Sequence, residues 1–376
     1  LFYLDNLQLR GFRNYHKQHL HFNPRFNIFA GDNGHGKTNL LEAIYYLSVT
    51  RSFRTKRDYE LANFDDRFFY LGGLFIKRYI SHRIQLSYRV NESLQVKIDN
   101  NTVERFNHLQ QFPVVVFSPD DLQIVSDGPS VRRRFLNLEG ARLNPLFFQD
   151  LKNYQRVLIQ RNNLLRDMHS RAKIEKYIEP WDQALIEYGS RIIIERVKLL
   201  EILQNEARPF FIKMSGSTED ITLHYKSNLK FNAIEDDYDK IKNRYKEALT
   251  SKRELELKRG STLVGPHLDD FSIFINRVDS RYFSSQGQKR TAALALKMAE
   301  VNLFTSKNSE EPIILLDDVF SELDDPRKKH LLAFLSENSS QCFIASASGV
   351  NEYIHNLSGE HKIFNIKQGT VLDETD

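Results

Sequence analysis

One run constrains this chain more than any other: FNIFA, then GDNGHGKT, then NLLEAIYYL, together residues 26–47. The apolar residues ahead of the glycines read as a strand. Behind them Leu40, Leu41, Ile44, Tyr45 and Leu47 recur at helical spacing and predict a helix with one buried stripe. Gly31, Gly36, Lys37 and Thr38 meet every specified position of the phosphate-loop pattern GxxxxGK[ST], in the strand–loop–helix order that pattern requires. Glycines there let backbone N–H groups turn toward a β-phosphate. Lys37 then reaches the β- and γ-phosphates, and Thr38 offers its hydroxyl to Mg²⁺. The whole loop, Gly31, Asp32, Asn33, Gly34, His35, Gly36, Lys37, Thr38 and Asn39, is thus the expected cradle for ATP with Mg²⁺. Such loops serve kinases, pumps, motors and clamps alike, so the purpose of the nucleotide has to be read elsewhere.

The rest of the chain alternates between two textures. Short apolar–polar alternation marks strands in residues 2–30, in YLGGLFIKR, HRIQLSYRV and LQVKIDN, with Asn100-Asn101 as the expected hairpin turn. PVVVF (113–117) reads as a strand buried on both faces. From about Arg132 to Arg208 turn residues are scarce. Apolar residues there recur at three, four or seven, which predicts two long helices joined near Glu179-Pro180. Alternation of strand and helix returns in the last hundred or so residues. The expected fold class is α/β, a mixed-sheet phosphate-loop core built from both ends of the chain, 1–130 and 261–376, around a mainly helical insert, 131–260, with a short antiparallel arm.

Composition narrows the setting. Cys342 is the only cysteine, so no intramolecular disulfide can form and a reducing compartment is expected. Charges every few residues in LFYLDNLQLRGFRNY argue against a signal peptide there, the absence of Met before Leu1 reads as a trimmed terminus, and no long apolar run occurs. A cytoplasmic protein without membrane contact is the expectation. A formal net charge of +4 decides little, but RSFRTKR packs Arg51, Arg54, Lys56 and Arg57 into seven residues, and Arg132, Arg133 and Arg134 are consecutive. Both are anion-contact candidates. The arginine triplet would equally pair with Glu139 and its neighbours.

Two further motifs give the loop its partners. IILLDD (313–318) delivers Asp317 and Asp318 at the end of an apolar strand, where Asp317 would hold Mg²⁺ through water and Asp318 would orient or deprotonate the attacking water. SSQGQKR (284–290) opens a helix and presents Ser285, Gly287 and Gln288 to an anion. Since the chain already has one phosphate loop, a second anion-binding turn suggests use in trans, as in ABC-type ATPases. SELD (321–324) resembles the D-loop of that class.

Taken together, LRGFRNY, GxNGxGKTNLLEAI, TRSFRT, VVVFSPDDL, GPSVRRRFLN, SSQGQKR with ALALKMAE and LLDDVFSELD resemble the RecF family of bacterial recombination mediators, related to Rad50 and SMC heads. The resemblance spans the chain. It implies an ABC-type head that dimerises on ATP, hydrolyses it slowly, binds duplex and single-strand/double-strand junction DNA, and works with RecR and RecO to place RecA. It also implies that Arg13 sits near the nucleotide and that Arg51, Arg54, Lys56 and Arg57 face DNA. Leu268 replaces an expected arginine in GPHLDD, and FIASAS (343–348) lacks the usual switch threonines, leaving Ser346 as candidate. The Q-loop position falls to Gln123 or Asp120. A transporter ATPase subunit is the alternative reading; a glutamate after the Walker aspartate and a coupling helix would mark it. A small-molecule kinase should lack the signature turn. A Rad50-like tether needs far longer arms than the 245 residues between Thr38 and Ser284 supply.

Overall fold

The structure, a computed structural model, describes residues 2–105, 111–167, 171–229, 237–308, 310–346 and 360–375. It divides into two units, Leu1–Asp121 with Leu294–Asp376, and Leu122–Ala293.

The first unit opens with the hairpin of β1 (Phe2–Phe12) and β2 (Tyr15–His21). Leu7 and Leu9 of β1 point inward while Gln8 and Arg10 stay exposed, the period-two pattern of a half-buried strand. β3 (Phe26–Ala30) leads through the glycine loop into α1 (Lys37–Val49). β4 (Phe68–Lys77), β5 (Ile80–Arg89), β6 (Gln95–Ile98) and β7 (Asn101–Val103) extend the hairpin into a six-stranded antiparallel sheet, ordered β2-β1-β4-β5-β6-β7. Ile98 pairs with Asn101, so the tight turn is Asp99-Asn100, one residue earlier than expected. Both have positive φ, +48° and +69°, as a type I′ turn demands, and Asp and Asn tolerate it. β8 (Val114–Phe117) is buried throughout, as its apolar run predicted.

The second unit carries α2 (Leu122–Ser126), α3 (Pro129–Leu143), α4 (Pro145–Asp167), α5 (Arg171–Met214), β9 (Ile221–Lys226), α6 (Tyr238–Arg259), β10 (Asp270–Ile275), β11 (Val278–Asp279) and α7 (Ser280–Phe283). α8 (Gln286–Asn308) contains the division between units. Arg191 reaches Asp150 while Arg161 reaches Asp182, so α4 and α5 run antiparallel as an arm. The expected break at Glu179-Pro180 is corrected: Pro180 lies inside α5 on an exposed position, and α4 ends at Asp167 while α5 begins at Arg171. This unit outreaches the expected insert at both ends. β10 pairs with β9 rather than with the sheets of the first unit, and so belongs here.

The first unit closes with β12 (Ile313–Asp317), α9 (Asp325–Glu337), β13 (Cys342–Ser346), β14 (His361–Lys367) and β15 (Thr370–Thr375). Its second sheet, β15-β14-β3-β13-β12-β8, is parallel except for β15. α1 packs on β8, β12 and β13 of this sheet and on β1, β4 and β5 of the other. It is therefore buried nearly all round, Glu42 and Ser48 included, rather than along one stripe. Phe22, Phe29, Phe343 and Phe364 fill the core beside β3 with tilted and edge-to-face rings. Among the described residues no helix is long and apolar enough to cross a membrane.

Candidate nucleotide-binding site

The loop between β3 and α1 is shaped by its glycines. Gly36 caps α1 at φ +113°, and a Cβ there would lie 2.8 Å from Asn14 Nδ2 and 3.0 Å from the Tyr15 hydroxyl. Gly31, at φ +148°, leaves no room for one either, because the Ile366 carbonyl would stand 2.3 Å away. The carbonyl of His35 accepts from Gly369 N at 2.9 Å and Asn14 Nδ2 at 3.3 Å, and Tyr15 donates its hydroxyl proton to the Gly36 carbonyl at 3.1 Å. His35 N also donates to the Asp32 carbonyl. The loop is thus held from behind by the β1–β2 turn and the β14–β15 turn.

In front of it lies a cleft of about 250 Å³, lined by Asn33, Gly34, Lys37, Thr38, Asn39 and Arg54 of the loop side and by Asp317, Asp318 and Ala345. Lys37 is buried and donates to the Gly31 and Asp32 carbonyls at 2.7 and 2.8 Å. Burial lowers its proton affinity, against the pull of Asp318, Asp32 and Asp317. Thr38 donates its hydroxyl proton to Asp317 Oδ1 at 2.6 Å. Burial raises the Asp317 pKa, and the Thr38 hydrogen bond opposes the shift. Asp318 follows at φ +52°, its N–H donating to the Ala345 carbonyl on β13. A hydroxyl beside carboxylates is a hard oxygen set that suits Mg²⁺. Among the described residues no cluster of three His, Cys, Asp or Glu side chains could hold a metal alone, so a cation here would complete its shell from phosphate and water.

Behind the cleft sits a buried carboxylate that sequence reading missed. Glu42, fully buried on α1, takes both Nε and Nη2 of Arg13 at 2.8 Å, lies 3.5 Å from Arg54 Nη1, and accepts the Ser52 hydroxyl. Arg13 also donates to the Glu60 carbonyl at 2.7 Å. Arg13 does not line the cleft but shares Glu42 with Arg54, which does. Arg54, grouped above with the cations facing DNA, turns to the cleft instead, donating to Asn39 Oδ1 at 2.8 Å, while Asn39 donates to Asn14 Oδ1 at 2.8 Å. An acid inside the apolar run NLLEAI was the available signal for Glu42. Asn14 gave none beyond its place after a strand.

The remaining cations separate. Arg51, Lys56 and Arg57 are exposed, Arg57 donating to the Tyr59 hydroxyl at 2.7 Å and lying 3.8 Å from Glu60. Arg132 is buried against Asp270 in a bidentate pair at 2.8 and 2.9 Å, and Arg133 donates to the Asp269 carbonyl; it is Arg142 that reaches Glu139. In the second unit Ser285 and Gln288 form a reciprocal capping box at the start of α8: Ser285 N donates to Gln288 Oε1 at 2.8 Å, and Gln288 N to Ser285 Oγ at 3.2 Å. Ser285 is exposed and Gly287 half-buried, while the Gln288 amide is engaged by Glu219. Asp120 and Gln123 are exposed around the start of α2, Ser346 ends β13 half-buried, and Ala347 and Ser348 lie outside the described residues.

The RecF/RecN/SMC N terminal domain family matches residues 3–370. Proteins named DNA replication and repair protein RecF from Bacillus thuringiensis and Bacillus cereus are 38% identical over 376 residues, covering 100% of this chain and 99% of theirs. Solved structures described as the recombination mediator protein RecF-ATPrS and RecF-ATP in the RecFOR pathway superpose with TM-scores of 0.90 and 0.91 at 38% identity, covering 100% of this chain and 98% of theirs. An Smc head domain from Pyrococcus furiosus shares the fold at TM-score 0.55 and 17% identity, covering 98% of this chain and 94% of that one. An ABC-ATPase-like head with a helical lobe, sequence identity along its full length and a phosphate loop facing paired aspartates agree: the chain belongs to the RecF family.

Proposed function

We propose that this chain is an ATP-switched DNA-binding protein of replication and repair. The observation that carries the reading is the 2.6 Å bond from Thr38 to Asp317, which joins the loop hydroxyl to a strand-end carboxylate 279 residues later, beside a buried lysine. Lys37 would exchange its two carbonyl partners for the β- and γ-phosphates, and Thr38 with Asp317 would hold Mg²⁺. When bound, Mg²⁺ neutralises charge on the phosphate oxygens. Asp318 orients the attacking water. Arg54, 42% exposed and already aimed into the cleft, adds a second cation to the phosphates. Asn39 and Glu42 fix its direction.

The exposed Ser285, with Gly287 and Gln288, would complete the site of a second copy, since a helix start with an accessible hydroxyl suits a γ-phosphate. ATP then shifts a monomer to a dimer by differential affinity, and slow hydrolysis times its opening. Arg51, Lys56 and Arg57 are the exposed cations offered to DNA phosphates. Action with RecR and RecO, as the relatives' RecFOR pathway suggests, and with RecA in the cytoplasm, as the family resemblance implies, completes the reading. Light scattering with ATP and Mg²⁺ tests it: the wild type doubles in mass, Lys37→Met stays monomeric because it fails to bind ATP, and Ser285→Arg binds ATP without dimerising. A Ser285→Arg protein that still dimerises would remove the composite site.

A further inference from the structure

The outer face of the antiparallel sheet carries a second surface, distant in chemistry from the cleft. One register row crosses five strands as Lys17, Arg10, Tyr70, Ser87 and Gln95. Around it lies a groove of about 420 Å³ whose lining includes Phe68, Tyr70, Arg10 and Arg89. Gly72 has a reason to be glycine: a Cβ there would come within 2.7 Å of the Tyr70 hydroxyl and 3.2 Å of its ring. The ring therefore lies along the sheet, its hydroxyl taking a hydrogen bond from Gln85 at 3.0 Å. The Arg10 guanidinium stacks over Phe68, 5.3 Å from the ring centre.

The charge on this face is mainly positive. Among the described residues no carboxylate lies within 4 Å of the Arg10, Lys17, Arg83 or Lys97 side chains, and Glu92, 3.9 Å from Arg89, is the one acid lining the groove. At the sheet's far end Asp5 accepts from Asn6, and Asp99 is engaged by His82 and the Arg83 backbone. Solvated sheet faces ordinarily mix both signs. Cations around fixed aromatic rings match a strand whose phosphates and base faces are both accessible. A duplex keeps its base faces stacked inside.

We infer that this face binds single-stranded DNA, its phosphates on Arg10, Arg89 and Lys97 and a base against Tyr70 or Phe68. The inference rests on the reading that the chain binds DNA. Fluorescence anisotropy with a labelled oligothymidine of about 20 nucleotides and with a duplex of equal length tests it on the full chain with ATP. Arg10→Glu with Arg89→Glu should weaken single-strand binding about tenfold or more and flatten its salt slope by ~0.7 for each lost contact, with duplex affinity changed less than about twofold. Photocrosslinking of a halogenated oligonucleotide to wild-type protein should map to Tyr70 or Phe68, a readout that needs no variant to fold. Duplex binding without single-strand binding overturns this inference and leaves the DNA reading standing; equal loss of both forms, or crosslinks elsewhere, also overturns it. Binding of neither form by the wild type would sink both.

Discussion

At Asp317 two demands oppose each other. Burial favours the protonated carboxyl, whereas holding Mg²⁺ needs the carboxylate. The folded pKa stands above the unfolded one, so the native state binds the proton more tightly. Stability without ligand is then greatest below the unfolded value and declines as pH rises through the folded one. Asp317→Asn removes that penalty. Its nucleotide-free melting temperature near neutral pH should rise on the order of 2 °C, while Mg²⁺-dependent hydrolysis falls by about a hundredfold or more. Melting curves between about pH 5 and 8, with and without ATP, check both halves: the wild type loses nucleotide stabilisation as pH falls, and the variant has little to lose. A variant that melts lower at neutral pH would mean that Asp317 is held by its Thr38 bond more than it is penalised by burial. The pair Thr38–Asp317 was legible in the sequence because both belong to motifs with known spacing to a phosphate. Arg54 was not. Its neighbours Arg51, Lys56 and Arg57 have the same charge, and only the partners Asn39 and Glu42 distinguish it.

Among elements, the helical arm shows what holds the second unit together. Arg161, fully buried on α4, donates to Asp182 on α5 at 2.7 Å, to Glu256 on α6 at 2.6 Å and to Thr262 beyond it at 2.7 Å. Three helices thus meet on one guanidinium. Arg161→Met keeps the volume but leaves Glu256 buried without its charge partner, and should cost about 3–5 kcal/mol in urea unfolding of the full chain, with ATP affinity unaffected. A loss below about 1 kcal/mol would mean Arg253, which reaches Asp182 and lies 3.9 Å from Glu256, takes over both acids. Periodicity located these helices well, since long runs of apolar residues at three and four leave few alternatives. It misplaced the break at Pro180: the missing N–H and the ring's clash disfavour a proline inside a helix without forbidding it, and α5 runs on through an exposed one. It also read α1 as one stripe. Glu42 and Ser48, which interrupt its apolar pattern, are buried too: Glu42 is met by Arg13, Ser52 and Arg54, and Ser48 bonds back to the Ile44 carbonyl.

At the scale of the molecule, β3 sits between β13 and β14, so the strand that launches the glycine loop has both its neighbours more than 300 residues later in the chain. The cleft cannot exist until those strands arrive. A chain ended at Ser340 leaves β3 with two open edges and should neither bind ATP nor protect its first unit from proteolysis, whereas the full chain does both; nucleotide binding by the truncated chain would show that β12 alone suffices to brace the loop. The sequence made this closure legible, with strand texture at both ends and helices between, but not its register. The Glu42 arrangement has a consequence of another kind. Arg13 on the β1–β2 turn, and Ser52 with Arg54 from one segment beyond α1, share one carboxylate that has no access to water. None of the four can drift alone in evolution. A graft of residues 50–60 from a distant relative would fit only if its donor brought residue 42 and the β1–β2 turn along.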